Sequence, residues 1–325
     1  MADLPLFSVI TPSYNQAQYL EQTIQSVLNQ DYPNLEYLVI DGASTDSSLE
    51  IIRKYADRLA FWVSEKDHGQ AEAINKGLAR ARGEYIAWIN SDDYYLPGAL
   101  HSAARAFEQN PRCGMVFSNL LAVNGAGEPI NIIRYGNYTL DDLMQFNMLG
   151  QPAVFMRRSF LERAGYLDQK LHYMLDHHLW LRLAQQAPMR YFDQVWAAAR
   201  YHTSAKNVSQ APGFARETYE VVAWMQSQPS LEEQFHRLRR KIWAGAHRMN
   251  GRYLLDGGYP WRSLKAYLKS LLCYPPTALQ EWRRILYAAA SLFIDLEWVR
   301  QRFLARRKQA VKQILHQDTG KKEHS

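Results

Sequence analysis

The feature that most constrains this chain is a rhythm in its first 120 residues. Short runs rich in β-forming residues alternate with segments whose apolar positions recur at helical spacing. The strand-like runs are Phe7–Thr11, Leu35–Ile40, Leu59–Val63, Tyr85–Ile89 and Met115–Leu121. Between them, Tyr19–Leu28, Ser47–Tyr55, Glu72–Ala81 and Ala99–Phe107 read as helices. This alternation predicts an α/β fold: a mostly parallel central sheet with helices on both faces. In such a sheet, ligands bind in the crevice outside the carboxyl ends of the strands. The residues just after each run therefore carry the functional signal.

Three runs end in polar clusters. The first ends in Thr11-Pro12-Ser13-Tyr14-Asn15, the second in Asp41-Gly42-Ala43-Ser44-Thr45-Asp46, the fourth in Asn90-Ser91-Asp92-Asp93. Together they offer an aromatic ring, several hydroxyls and at least three carboxylates at one edge. That inventory suits a nucleotide. Adjacent Asp92 and Asp93 repel each other unless a cation sits between them and a substrate. A divalent metal holding a diphosphate meets that need; an Asx turn capping the helix near Pro97 is the structural alternative. Neither a G-x-G-x-x-G nor a G-x-x-x-x-G-K-[ST] run is present, so a dinucleotide or P-loop site is not expected.

After Leu121 the rhythm changes. Asn124-Gly125-Ala126-Gly127 predicts a hairpin turn, Pro152–Met156 is another apolar run, Asp176–Gln186 reads as a helix and Val195–Tyr201 as a closing strand. From Phe214 to near Gln317 the pattern is helical. It includes a helical hairpin with a first helix ending at Asp256-Gly257-Gly258 and a second running from Pro260 to Leu272. The expected organisation is a catalytic domain over 1–210, with a nucleotide-binding half over 1–120 and an acceptor half over 121–210. A helical appendage follows over 211–317, and a polar, disordered tail over 318–325.

Charge separates these parts. Met1–His236 holds 19 Lys and Arg against 26 Asp and Glu, whereas Arg237–Ser325 holds 19 against 6. The basic character belongs to the C-terminal part, which suggests an anionic surface as its partner. No recognised nucleic-acid motif accompanies the charge, and none is expected to bind. The two cysteines, Cys113 and Cys273, read as buried free thiols of a reducing compartment. The N-terminus reads as a strand rather than a secretory signal, and the longest apolar run, Ile285–Ile294, is too short to span a bilayer. A cytoplasmic protein is expected, with a seat on the cytoplasmic face of the membrane as a further possibility.

Taken together, Ser8–Asn15, Val39–Asp46, Asn75-Lys76-Gly77, Gly83–Ile86 and Asn90–Asp93 resemble the family 2 glycosyltransferases of GT-A (nucleotide-diphospho-sugar transferase) fold. The likeness covers roughly residues 5 to 110 in order and spacing. A weaker one continues through Gln151–Phe155, Gly165–Asp168 and Asp176–Leu183. The resemblance implies an inverting transfer of a sugar from a nucleotide-diphospho-sugar, a UDP-sugar on family grounds, to a glycan or glycolipid hydroxyl in cell-surface biosynthesis. It implies Mn²⁺ or Mg²⁺ as cofactor. By the same resemblance Tyr14 lies against the base with Thr11 nearby, Asp41 accepts a hydrogen bond from the base, and Asp92 serves the ribose. Asp93 is the implied metal ligand, with Asp92 and His202 as further ligand candidates. Asp67 and His68 would line the donor-sugar pocket, and Asp176 would be the catalytic base. Asn90 stands where many members carry an acid, so the D-x-D pattern lacks its first acid.

Asp176 has a structural alternative as N-cap of its helix, and Arg182 reads either as a partner of an acid or the diphosphate or as part of a solvated helix face. Two rival functions remain: a non-catalytic sugar-nucleotide-binding module, and a nucleotidyltransferase. The second would want a glycine-rich basic loop after the first strand, which Pro12-Ser13-Tyr14-Asn15-Gln16 is not. The aromatics and cations from Trp282 to Lys308 resemble an amphipathic surface for anionic membrane, against the alternative of packing on the catalytic domain.

Overall fold

The computed structural model describes residues 4–201 and 210–294. Two compact units emerge. The first runs to Leu121 and adds Ile133–Leu140 and Met148–Arg200; the second takes Ala122–Ile132, Asp141–Asn147 and the chain from Tyr201 onward.

The first unit is built on strands β1 (Phe7–Ser13), β2 (Leu35–Asp41), β3 (Phe61–Ser64) and β4 (Tyr85–Trp88), in spatial order β3-β2-β1-β4. All three pairings are parallel. The connecting helices are α1 (Ala17–Leu28), α2 (Ser48–Lys54) and α3 (Gln70–Leu78). Helix α1 forms because Tyr19, Leu20, Thr23, Ile24 and Val27 fall on one face, and that face is buried. Helix α3 lies close to β1 because Gly77 has no side chain: a Cβ there would stand 2.5 Å from Ile10 Cγ2. Phe7 anchors the core, with Tyr32, Tyr85 and Phe155 edge-on at 5.7, 5.8 and 5.7 Å.

Beyond β4 the sheet is mixed. Helix α4 (Ala99–Gln109) leads to β6 (Met115–Asn124), after the two-residue β5 (Tyr94–Tyr95). A turn at Asn124–Gly127 joins β6 to β7 (Pro129–Ile133), and α5 (Leu140–Met144) precedes β8 (Val154–Arg157). Strand β8 runs antiparallel to both β4 and β6, and β9 (Met189–Tyr201) antiparallel to β5. The parallel expectation therefore holds for β3-β2-β1-β4 and gives way where no βαβ crossover connects neighbours. Helices α6 (Arg158–Ala164) and α7 (Leu175–Gln186) lie between β8 and β9. Cys113 is buried as expected, whereas Cys273 is only partly covered.

From Ala211 the second unit is helical: α8 (Ala211–Ser227), α9 (Glu232–Asp256), α10 (Pro260–Cys273), α11 (Pro275–Leu279) and α12 (Trp282–Ala290). The hairpin read from the sequence is α9 and α10, turned at Gly258 with φ 82°. Small residues let the two helices close: a Cβ on Gly251 would meet the Tyr267 ring at 3.0 Å. A buried polar network braces them against α12. Glu281 accepts from Tyr267 Oη at 2.6 Å and pairs with Arg252, with Arg248 behind. Burial pushes the Glu281 carboxyl up, but the Arg252 charge and the Tyr267 hydroxyl outweigh it and hold the group below its ordinary range. Glu281→Ala leaves the Arg252 guanidinium unpaired and should destabilise this unit by about 3 kcal/mol, read by chemical denaturation. The segments 202–209 and 295–325, including the tail expected from Asp318, lie outside the described residues.

Candidate active site

The register brings the polar strand ends together. Ser13 lies opposite Asp41, and Asp41 opposite Ser64. The backbone continues this alignment past the strands, with Gly42 N donating to Ser13 O at 2.8 Å and Glu65 N to Asp41 O at 3.0 Å. Tyr14 follows at once, its ring 60 % exposed. Asn15 ties this loop to the next: its N–H donates to Ser44 Oγ at 2.8 Å, and its Oδ1 accepts from Thr45 N at 2.8 Å. Asn15 and Ala43 both hold left-handed backbone, φ 52° and 60°. For Ala43 that conformation costs on the order of 1 kcal/mol, strain of the kind stored at ligand-binding loops.

Asp41 organises this edge. It is fully buried; Oδ2 accepts from Ser44 N and Ser64 Oγ at 2.9 and 2.7 Å, and Oδ1 from Ser44 Oγ at 2.5 Å. Asp41, expected to accept from the base, instead spends three of its about four acceptor positions on Ser44 and Ser64 and has no exposed surface, so it braces the edge from behind. Asp67 closes on the same loop. Its Oδ1 accepts from Gly69 N at 2.9 Å, and its Oδ2 lies 2.7 Å from where a Cβ on Gly42 would be, so a side chain at residue 42 would displace this carboxylate. Thr11, expected near the base, is instead wholly buried, its hydroxyl 2.9 Å from Tyr37 Oη. Its side chain alternates into the sheet, so it supports the strand rather than lining the crevice. His68 is 94 % exposed and bonded to Glu72, through Nδ1 at 2.6 Å and the backbone N–H at 2.9 Å.

The turn after β4 holds the adjacent carboxylates. Asp93 is buried, Asp92 half-buried. Asp93 Oδ1 accepts from Arg200 N at 2.9 Å; Arg200 Nε donates to Asp92 O at 2.9 Å and its Nη2 to Gln22 Oε1 at 2.6 Å. Arg200 is thus the fastener of the turn, and the sequence reading passed over it: a lone arginine at a strand end carries no local signal. Asn90 also gains a reason. It accepts from Gln70 Nε2 at 2.7 Å and donates to Asp93 Oδ2 at 3.3 Å. An acid at this position would set a further negative charge against Asp93. Burial first, and the Asp92 charge second, push the Asp93 carboxyl well above the usual carboxylate range.

Among the described residues, no group of three or more His, Cys, Asp or Glu could enclose a metal. Mg²⁺ is ordinarily held by one or two carboxylates together with substrate phosphates, so a pair is a sufficient protein share. The strained charge on Asp93 and the hard oxygen donors fit a divalent cation arriving with a diphosphate. His202, the further ligand candidate, lies outside the described residues.

Asp176 sits in the first turn of α7, and the N-cap position belongs to Met174. The capping alternative is therefore corrected: the helix starts one residue before Asp176, whose Oδ1 accepts from the adjacent His177 N at 2.7 Å. One turn further on, Trp180 stacks on Trp88, the last residue of β4, at 5.1 Å. Residues i and i+4 share a helix face, so Asp176 lies on the same face of this helix as Trp180. Arg182 fixes α7 by donating to the carbonyls of Ala164, Gly165 and Tyr166 at 2.7, 3.1 and 2.7 Å, rather than to an acid or a ligand. Asn75 on α3 pairs both ways with Leu167, at 2.8 and 3.0 Å.

His178 is buried behind this face. Burial, then the Arg182 charge, lowers its pKa from 6.5 to about 4. The unfolded chain binds this proton at a higher pH than the folded one, so the stabilisation is present above pH 6.5 and is lost as the pH falls toward 4. Melting temperature should drop across that window, and His178→Asn should remove on the order of 2–3 kcal/mol of the dependence.

Comparison with known proteins gives three findings. Residues 8–165 match the sequence profile described as Glycosyl transferase family 2. The TuaG protein of Bacillus subtilis (strain 168), named as a teichuronic acid biosynthesis glycosyltransferase, is 31 % identical over 188 residues, 56 % of this chain and 73 % of that one. Two solved structures share the fold. S. aureus TarS 1–349 in complex with UDP-GlcNAc has a TM-score of 0.57 at 21 % identity, over 86 % of this chain and 92 % of that one. The mannosyltransferase PcManGT of Pyrobaculum calidifontis, in complex with GDP-Man and Mn²⁺, scores 0.59 at 20 %, over 95 % and 87 %.

Proposed function

Because the chain belongs to glycosyltransferase family 2, we propose that it transfers a sugar, with inversion, from a nucleotide-diphospho-sugar to a hydroxyl of a glycan or glycolipid in surface-polysaccharide biosynthesis. The observation that carries the site is the alignment of the β1, β2 and β3 ends beside the buried Asp93 and its neighbour Asp92. A UDP-sugar is the favoured donor, in keeping with the UDP-GlcNAc in the S. aureus TarS complex.

Tyr14 offers its exposed ring to the base, and Asp41 holds the loop beside it through Ser44 and Ser64. Asp92 serves the ribose, and Asp67 turns toward the donor sugar. Asp93, with Asp92, would hold Mn²⁺ or Mg²⁺, which neutralises the diphosphate as it leaves. The acceptor oxygen attacks the anomeric carbon as the bond to the diphosphate oxygen breaks. Asp176 takes the acceptor proton from the face opposite the leaving group. The cytoplasm, where nucleotide-sugars are made, is the side on which this chemistry would run.

The test is release of free nucleoside diphosphate from a panel of nucleotide-sugars with glycan acceptors, with the product's anomeric configuration read by NMR. Turnover of one donor with an inverted product supports the reading; retention of configuration sinks the role given to Asp176.

A further inference from the structure

Helix α10 is amphipathic in the reverse sense. Its buried face is Ser263, Ala266, Tyr267 and Ser270. The two serines are satisfied inward, Ser263 Oγ on Gly251 O and Ser270 Oγ on Ala244 O, both at 2.7 Å. The large apolar residues Trp261, Leu268 and Leu272 point outward, 57, 56 and 74 % exposed. At helical spacing these three and Lys265 fall in one narrow stripe opposite the buried face, flanked by Arg262 and Lys269. Lys265 lies over the Trp261 ring at 5.1 Å. Helix α12 repeats the arrangement: Ala288 is buried while Trp282 and Leu286 are outside, with Arg283 over Trp282 at 5.2 Å. Helices whose serines face inward and whose tryptophans face water are built to be covered.

Charge decides what covers them. Residues 257–294 hold five cations and one acid. That acid, Glu281, is buried in its own network. Arg284 is paired with Asp256 at 2.7 Å, which leaves Arg262, Lys265, Lys269 and Arg283 as the cations beside the apolar stripe. A two-fold contact with a second copy would set these cations against their own images. An anionic lipid surface answers both features: tryptophan and leucine enter the acyl boundary, and lysine and arginine reach the phosphates. No described helix is long and apolar enough to cross a membrane, so the contact is one of lying on the surface.

We propose that the outward stripe of α10 and α12 is a seat for an anionic phospholipid bilayer. This goes beyond the transferase reading and stands without it. The test is flotation of the full chain with phosphatidylcholine vesicles, with and without phosphatidylglycerol. The protein should float only with the anionic vesicles, and salt should release it. Trp261→Ser/Leu268→Ser/Leu272→Ser should weaken partitioning about tenfold or more while circular dichroism stays that of the parent. Lys265→Glu/Lys269→Glu, which keeps the apolar stripe, should weaken it about tenfold as well. Equal flotation with both vesicle types, or variants that bind like the parent, overturns the proposal. So does light scattering that finds the parent dimeric and the serine variant monomeric, since a second copy would then own the face.

Discussion

Asp176→Asn leaves donor binding intact and lowers transfer by about 10²–10⁴-fold, the range ordinarily lost with a general base. The substitution is conservative where structure is concerned. Asp176 Oδ1 accepts a hydrogen bond from the neighbouring His177 N, and an amide oxygen accepts the same bond. The helix is held elsewhere, by Trp180 on Trp88 and by Arg182 on three carbonyls. Melting temperature and the donor KM should therefore match the parent while kcat falls. A parallel loss of stability would mean that Asp176 serves the fold rather than the reaction.

Asp93→Asn has the opposite profile. It should remove Mn²⁺-dependent nucleotide binding, a loss of several kcal/mol where the cation supplies the main attraction for the diphosphate. In the absence of metal, the same variant should be more stable than the parent. Asp93 is buried beside Asp92, and its ionised form is disfavoured by burial first and by that neighbour second. Asparagine keeps an oxygen for Arg200 N and removes the charge. Thermal melts in EDTA and in Mn²⁺ should cross over: Mn²⁺ with nucleotide raises the parent and leaves the variant where it was. A variant less stable than the parent in EDTA would show that the carboxylate is needed for the turn itself.

The parallel half of the fold was legible because its strands and helices announce themselves by period. The expected boundaries at Leu35, Tyr85 and Ala99 are where those elements begin. Strand direction beyond β4 was not legible: Pro152–Met156 shows an apolar run, and an apolar run has no direction. The site divided along similar lines. Tyr14, Asp41, Asp92 and Asp93 stand in contiguous motifs after strands. Arg200 reaches the same turn from a strand 107 residues after Asp93, and only the folded sheet pairs them. Thr11 was expected near the base from the resemblance, and the alternation of the strand turns its hydroxyl to Tyr37 instead. The outward stripe of α10 was hidden because the helix hides serines and exposes leucines, the reverse of the usual cue.

The central claim is that Asp92 and Asp93 form a metal-dependent nucleotide site. It is tested most directly by calorimetric titration of the full chain with UDP and with GDP, each in Mn²⁺ and in EDTA. UDP should bind in Mn²⁺, and chelation should abolish the binding. Binding of neither nucleotide in Mn²⁺, or binding unchanged by EDTA, would contradict it.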